Sequence, residues 1–344
     1  MPRSMANGST AESRSHPSTR SRERSPVDLR LALRAATLHF LDGLTQADVA
    51  ARLGVSRPTA GRLIARAKLD GLVRIDVVVP PELRDDLHAR EERELERRFG
   101  LTEAVVAGRG VDVRASGPAA FASVGRAAAA LLTRRLSPTD TMGFTWGPEQ
   151  VAVATALAPG VAACRAVVQL DGAMSTVSYQ TGADDILGRC SDALRAEAIR
   201  LPAPLYADPS TVASLRRDSV MSRTLLAGRH AELMLFGVGA VSTSTTLFEG
   251  SFLDTSMLDE LTALGAVGEI GGRFFDADGV ALETDLVQRV ISVPLEDIRH
   301  CSKALLISSG AAKHAATLAA LRGGLARLLV CDLDCARWLL SHDK

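Results

Sequence analysis

Six short runs, apolar at nearly every position, constrain this chain more than any other feature: 104–107, 141–144, 166–170, 233–238, 304–307 and 328–331. Between them lie Ala-rich segments of helical character at 118–135, 148–158, 182–199, 209–227 and 312–322. A strand without a polar face is one buried on both sides, and strands alternating with helices make parallel sheets. The expected fold is therefore α/β, with a Rossmann-like parallel sheet from about residue 101 to 344. Ligands of such sheets bind at the carboxyl ends of the strands, so the loops after the runs hold the candidate site.

Five of those loops combine Gly with polar residues. They supply Gly143, Thr145, Trp146, Gly147, Glu149, Asp171, Gly172, Gly239, Glu269, Arg273 and Lys313 as candidate ligand contacts. Gly lets a ligand approach the backbone, and a helix start offers free N–H groups. Plain turn chemistry is the alternative for the glycines, a core position for Trp146, and an ion pair with Glu269 for Arg273. Lys313 is one of four lysines beside 36 arginines. It falls in the first turn of a helix, where the dipole disfavours a cation. A ligand or a carboxylate partner is expected beside it.

Ahead of this body, Leu44–Ile75 reads as a helix–turn–helix. Thr45 caps a helix to about Leu53, Gly54 ends it in the left-handed conformation, Ser56 caps the next helix and Pro58 sits in its first turn. Val49, Ala50, Leu53, Val55, Ala60, Leu63, Ile64 and Ala67 recur at helical spacing and pack the pair together. Arg57, Thr59, Arg62 and Arg66 remain for DNA bases or phosphates, with Thr45 and Gln46 at the backbone and Ser56 a further DNA-binding candidate. Charge supports this. Residues 1–75 hold 13 basic and 6 acidic side chains, a net of +7, inside a chain that balances at 40 against 40. A basic head on an acidic body points to operator DNA as a partner.

The expected domains are a disordered Ser/Arg/Pro-rich tail at 1–26, the DNA-binding unit at 27–80, a linker helix at 81–100 and the effector-binding body at 101–344. Leu29–Leu41 reads as the first helix of the head, and Gly71–Val79 as a small wing strand or hairpin arm. Residues 82–99 are highly charged, with a thin stripe of Leu83, Leu87, Leu95 and Phe99. They fit either a solvated helix laced with ion pairs or a linker packed on a partner subunit. No run is long and apolar enough to span a membrane, and no signal core opens the chain. The five cysteines form no CxxC pair and fit buried thiols in a reducing cytoplasm. No metal, cofactor or catalytic set is expected.

Several motifs resemble those of the SorC family of sugar-responsive bacterial transcription regulators, also described as DeoR-like. They are DGLVRI at the end of the helix–turn–helix, Trp146-Gly147, VVQLDG at 167–172, LFGVGAV at 235–241, GAVGEIGGRFFDADG at 265–279, and the tail at 310–340. The resemblance covers roughly residues 30–342. It implies a body similar to sugar-phosphate isomerases and deaminases but used for sensing. It also implies a sugar, polyol or phosphosugar effector, and homodimers or homotetramers on operators. Glu269 and Lys313 match the family's acidic and late pocket residues. One departure matters. Where many members carry hydroxyl residues suited to phosphate, this chain has Pro148, which lacks an N–H, and Glu149, a carboxylate. Asp171 adds a second acid, so a neutral sugar or polyol is expected. The competing expectation is a sugar-processing enzyme with an appended head, with Glu269 as base and Lys313 as electrophile.

Overall fold

The structure, a computed structural model, describes residues 26–75, 87–108, 120–176, 179–180, 182–243, 245, 247–248 and 253–343. The chain divides into two units, Met1–Val78 and Val79–Lys344.

In the first unit, helix α1 (Pro26–Ala36) runs into a π-helical turn at Thr37–Leu41, and α2 (Gln46–Leu53) and α3 (Arg57–Leu69) follow. Local chemistry sets these limits. The Thr45 hydroxyl accepts the Asp48 N–H while the Asp48 carboxylate accepts the Thr45 N–H, a reciprocal cap. Gly54, at φ +64, closes α2. The Ser56 hydroxyl accepts the Thr59 N–H and opens α3. Ala35, Leu38, Val49, Ala50, Ala60 and Ile64 make the core. Ala32, Ala36 and Ala67 form a second small cluster beside it. The expected wing does not form within the described residues: Gly71 turns the chain and Leu72–Ile75 is irregular. The rest of that segment, with Pro80 and Pro81, lies outside them, as does the tail at 1–25.

The second unit begins with α4 (Ala89–Phe99). Its main sheet has seven strands: β1 (Glu103–Ala107), β2 (Thr141–Phe144), β3 (Ala166–Gln169), β4 (Glu197–Ile199), β5 (Leu233–Gly237), β6 (Lys303–Ser308) and β7 (Leu328–Asp332). They lie in the order β1-β7-β6-β5-β2-β3-β4, every pair parallel. The helices are α5 (Ala122–Arg135), α6 (Pro148–Ala156), α7 (Ala183–Leu194), α8 (Pro209–Arg217), α9 (Ser219–Arg229), α10 (Thr255–Ala263), α11 (Leu295–His300), α12 (His314–Arg322) and α13 (Leu333–His342).

Strand residues alternate between two cores. Leu233, Leu235, Leu305, Ile307, Leu328 and Val330 pack with α5, α6 and α7. Met234, Phe236, Ala304, Leu306, Leu329 and Cys331 pack on the other face with α4, α11, α12 and α13. Both faces are covered, which is why the runs are apolar throughout. Two expected helices end early. The 182–199 segment stops at Leu194, Arg195 turns left-handed at φ +52, and Glu197–Ile199 becomes the edge strand β4. The 209–227 segment breaks at Asp218, whose carboxylate accepts the Val220 and Met221 N–H groups and starts α9. A three-stranded antiparallel sheet of 239–240, 268–270 and 273–275 lies outside the main sheet.

The charged helix α4 belongs to this unit. Leu95 is fully buried in the core, and Phe99 packs beside it. Leu87 stays exposed, and Leu83 lies outside the described residues. The Glu96 and Glu92 carboxylates accept the Ala104 and Val106 N–H groups, both at 3.0 Å. These are outward N–H groups of the edge strand β1, and α4 satisfies them in place of a neighbouring strand. Leu95→Ala is therefore expected to lower the unit's stability by roughly 2–5 kcal/mol. Urea unfolding followed by far-UV circular dichroism checks this; a change within error removes α4 from the fold's core.

Candidate functional site

The chain enters the sheet at the edge strand β1, crosses to β2, and builds outward through β3 and β4. It then returns beside β2 as β5 and runs back through β6 and β7 to β1. The direction of winding reverses between β2 and β5. At such a point the two following connections leave in opposite directions, and the carboxyl ends flank a crevice. A cavity of about 240 Å³ opens there.

The loop after β2 and the first turn of α6 give the cavity Thr145, Trp146, Gly147, Pro148, Glu149 and Gln150. β5 and its continuation give Gly237, Val238, Gly239 and Ala240; the small sheet gives Glu269, Gly271 and Gly272. Asp171 enters from the end of β3, Lys313 from the turn before α12, and Phe121 from the start of α5.

Each polar group has a fixed place. Glu149, only 1% exposed, forms an ion pair with Lys313. This is the carboxylate partner that a cation in a helical first turn calls for, and Glu149 in the first turn of α6 suits that helix's dipole. The Lys313 ammonium also stands 5.9 Å from the centre of the Phe121 ring. Asp171, 1% exposed, accepts the Trp146 N–H at 3.3 Å, and the Trp146 indole donates to the Gly172 carbonyl at 2.9 Å. Glu269 accepts the Gly272 N–H at 2.8 Å. A side chain at position 239 would place its Cβ 2.0 Å from a Glu269 oxygen, so Gly239 leaves the room in which the Glu269 carboxylate lies and a larger residue would displace it. Gln150 is 1% exposed, and its amide nitrogen has no hydrogen-bond partner among the described residues.

Burial holds the Asp171 carboxyl well above the usual carboxylate range, and the nearby Glu269 charge adds to this. Burial raises Glu269 as well, against the Gly272 N–H and the Lys313 charge, which lower it. The cavity thus gathers three carboxyl groups and one ammonium. It suits hydroxyl groups, which can donate to carboxylates and accept from a protonated acid.

Of the sequence-derived candidates, Thr145, Trp146, Gly147, Glu149, Asp171, Gly239, Glu269 and Lys313 line this cavity. Three do not. Gly143 lies within β2, where a Cβ would meet the Leu170 side chain at 2.5 Å. Gly172 faces the Pro204 backbone at 2.3 Å from such a Cβ. Both are packing positions. Arg273 does not pair with Glu269; it turns away to the Ser292 hydroxyl and the Ser292 and Val293 carbonyls, at 2.9–3.0 Å. Gln150 and Phe121 escaped the sequence reading. Gln150 adjoins Glu149 and was within its reach; Phe121 is brought in from a distant helix with no local signal.

On α3, Arg57 and Arg62 are exposed. Arg62 donates to the Thr59 hydroxyl at 3.2 Å, and Thr59 in turn bonds Ser56. Arg66 is bound to Asp70 at 3.1 Å and lies 3.9 Å from Asp28. The Thr45 and Ser56 hydroxyls are engaged in capping, and Gln46 lies against Gly61. This leaves Arg57 and Arg62, near the start of the helix, without a carboxylate partner among the described residues, while Lys68 in its last turn stands 5.0 Å from the centre of the Phe40 ring.

Comparison with known proteins fits this geometry. Residues 86–341 match the sugar-binding domain family, and residues 28–73 match the homeodomain-like domain family. The chain is 31% identical to the erythritol catabolism regulatory protein EryD of Brucella abortus, over 92% of this chain and 98% of that protein. It is 29% identical to the deoxyribonucleoside regulator of Bacillus subtilis, over 90% and 97%. The crystal structure of the full-length sorbitol operon regulator SorC of Klebsiella pneumoniae superposes with a TM-score of 0.65, at 25% identity over 91% and 99%.

The raised Asp171 has a consequence for stability. A carboxyl whose folded pKa is raised contributes stability that is full below about pH 4 and is lost as pH rises through the folded value. Asp171→Asn cannot ionise, and its amide oxygen can still accept the Trp146 N–H. Its melting temperature should match the parent most closely near pH 4 and exceed it increasingly toward neutral pH. Thermal unfolding across that range checks the sign; a constant offset contradicts it.

Proposed function

The chain belongs to the SorC family of sugar-responsive transcription regulators, and from that premise we propose that it binds operator DNA under the control of a small polyhydroxylated effector. The observation that carries this reading is the cavity at the winding reversal, in a chain that also carries a capped helix–turn–helix. At about 240 Å³ it lies below the roughly 300–1,000 Å³ of pockets for drug-sized ligands, as suits a monosaccharide or polyol. The relatives above are named as regulators for erythritol, sorbitol and deoxyribonucleosides, two polyols and a class of sugar-bearing molecules. Control of operator binding is then a coupling between two distinct sites. The acting form is a homodimer or homotetramer in the cytoplasm.

Within this reading the effector is unphosphorylated. Pro148 removes an N–H from the start of α6, and Glu149 occupies Lys313, the cavity's cation. Three carboxyl groups repel a phosphate and bond hydroxyls. The same ion pair argues for sensing over turnover, since an amine held by a buried carboxylate is a poor nucleophile.

Two measurements test this. In thermal-shift assays, neutral sugars or polyols should stabilise the full chain; stabilisation by phosphosugars alone refutes the assignment. For DNA fragments selected by the full-length chain, Arg62→Ala should weaken binding by about 1–3 kcal/mol if it reads a base, with effector binding intact. Unchanged DNA affinity removes α3 from the interface.

A further inference from the structure

A second concavity, of about 430 Å³, lies where α8 and α9 meet the strand that carries Arg273. Three arginines line it: Arg216, Arg229 and Arg273. Arg229 is paired with Asp297 at 2.8 Å. The other two have only neutral partners. Arg273 donates to the Ser292 hydroxyl and to two carbonyls, and Arg216 to the Val290 carbonyl at 3.3 Å. Among the described residues no carboxylate forms an ion pair with either.

Two guanidinium groups facing one groove repel each other, and Arg273, half-buried, is the less screened of the two, since Arg216 is exposed. Burial brings Arg273 down to about 10, and the neighbouring Arg216 charge adds to that, against Tyr206 and the Asp297 carboxylate, which already pairs with Arg229. Arg273 therefore remains a cation at neutral pH. A protein carries such a pair at a cost that an anion removes, because guanidinium forks bind oxyanions with charge-assisted, often bidentate hydrogen bonds. Ser222 and Ser292 add hydroxyls to the rim, while Leu225, Leu226, Val287 and Pro294 make apolar walls.

We propose that this groove is a second ligand site, distinct from the polyol cavity, which takes a small oxyanion (phosphoryl or carboxylate) borne on a short apolar body. The same positions explain why Arg273 turns away from Glu269. Its guanidinium serves the groove, while the preceding residue, Gly272, holds the Glu269 carboxylate.

Isothermal titration of the full-length chain with inorganic phosphate and with butyrate, at ionic strength fixed with sodium chloride, tests this. Saturable binding of at least one probe is expected, and which one binds identifies the group. Arg216→Gln should weaken it by about tenfold, the loss of one charge-assisted contact. Arg217→Gln removes an equal charge from the adjacent exposed position and should leave it within about twofold. Arg273→Lys, which keeps the charge but not the fork, should weaken it too. The proposal is overturned if neither probe saturates, or if the variants at 216 and 217 behave alike. It is equally overturned if binding survives Arg216→Gln undiminished, since the anion is then held elsewhere.

Discussion

A parallel sheet has to hide both of its faces, and in this chain that requirement fixes nearly everything else. Each connection between parallel strands crosses a face as a helix, so the order of winding decides where helices can stand. Here the winding reverses between β2 and β5. The helix after β2 and the chain after β5 leave on different courses, and neither closes the gap above the strand ends. The gap is filled from outside the sheet by the antiparallel piece carrying Glu269 and by the turn carrying Lys313. The cavity is thus a product of strand order, and its lining is gathered from positions as far apart as 121 and 313.

What the cavity can bind follows from desolvation. A carboxylate buried without a cation or several donors is better neutral than charged. Glu149 meets this demand with Lys313, Glu269 with a backbone N–H and the same ammonium at longer range, and Asp171 with a single N–H. The acid with the weakest support is also the one pushed furthest toward its protonated form. The site therefore offers both acceptors and a donor at a few points, which is the pattern of a hydroxylated, uncharged molecule.

Much of this was legible in the sequence, for reasons that differ by element. Thr45, Gly54 and Ser56 act within one turn of the helix they limit, so their roles are local and readable. The strand runs were readable because burial on both faces leaves no polar residue to break the pattern. β4 was not, because three residues at an edge carry no periodicity, and Arg195 offers no turn residue to announce it. The break at Asp218 was readable only as a cap, since α8 and α9 share one stretch of helical composition. Among the loop residues, composition alone could not separate Gly239, which makes room for Glu269, from Gly143 and Gly172, which make room for the core. That distinction depends on which distant side chain faces the missing Cβ. Arg273 was misplaced for the same reason: its neighbours Ser292 and Val293 lie about twenty residues away.

The distribution of charge gives the DNA-binding reading its physical form. Residues 1–75 carry a net of +7 and the remainder −7. Phosphate attraction is therefore confined to the head, and the body contributes repulsion rather than affinity. Within the head the usable charge is smaller than the count. Arg66 is neutralised by Asp70 and Asp28, and Thr45 and Ser56 have their hydroxyls committed to caps. A helix left with Arg57, Arg62 and Lys68 as its cations without a carboxylate partner among the described residues makes few phosphate contacts. On the oligomeric reading proposed above, affinity for an operator comes from joining heads, because two weak contacts held together gain an effective concentration that neither has alone. In that proposed assembly, an effector that alters how copies are joined controls DNA binding without touching α3.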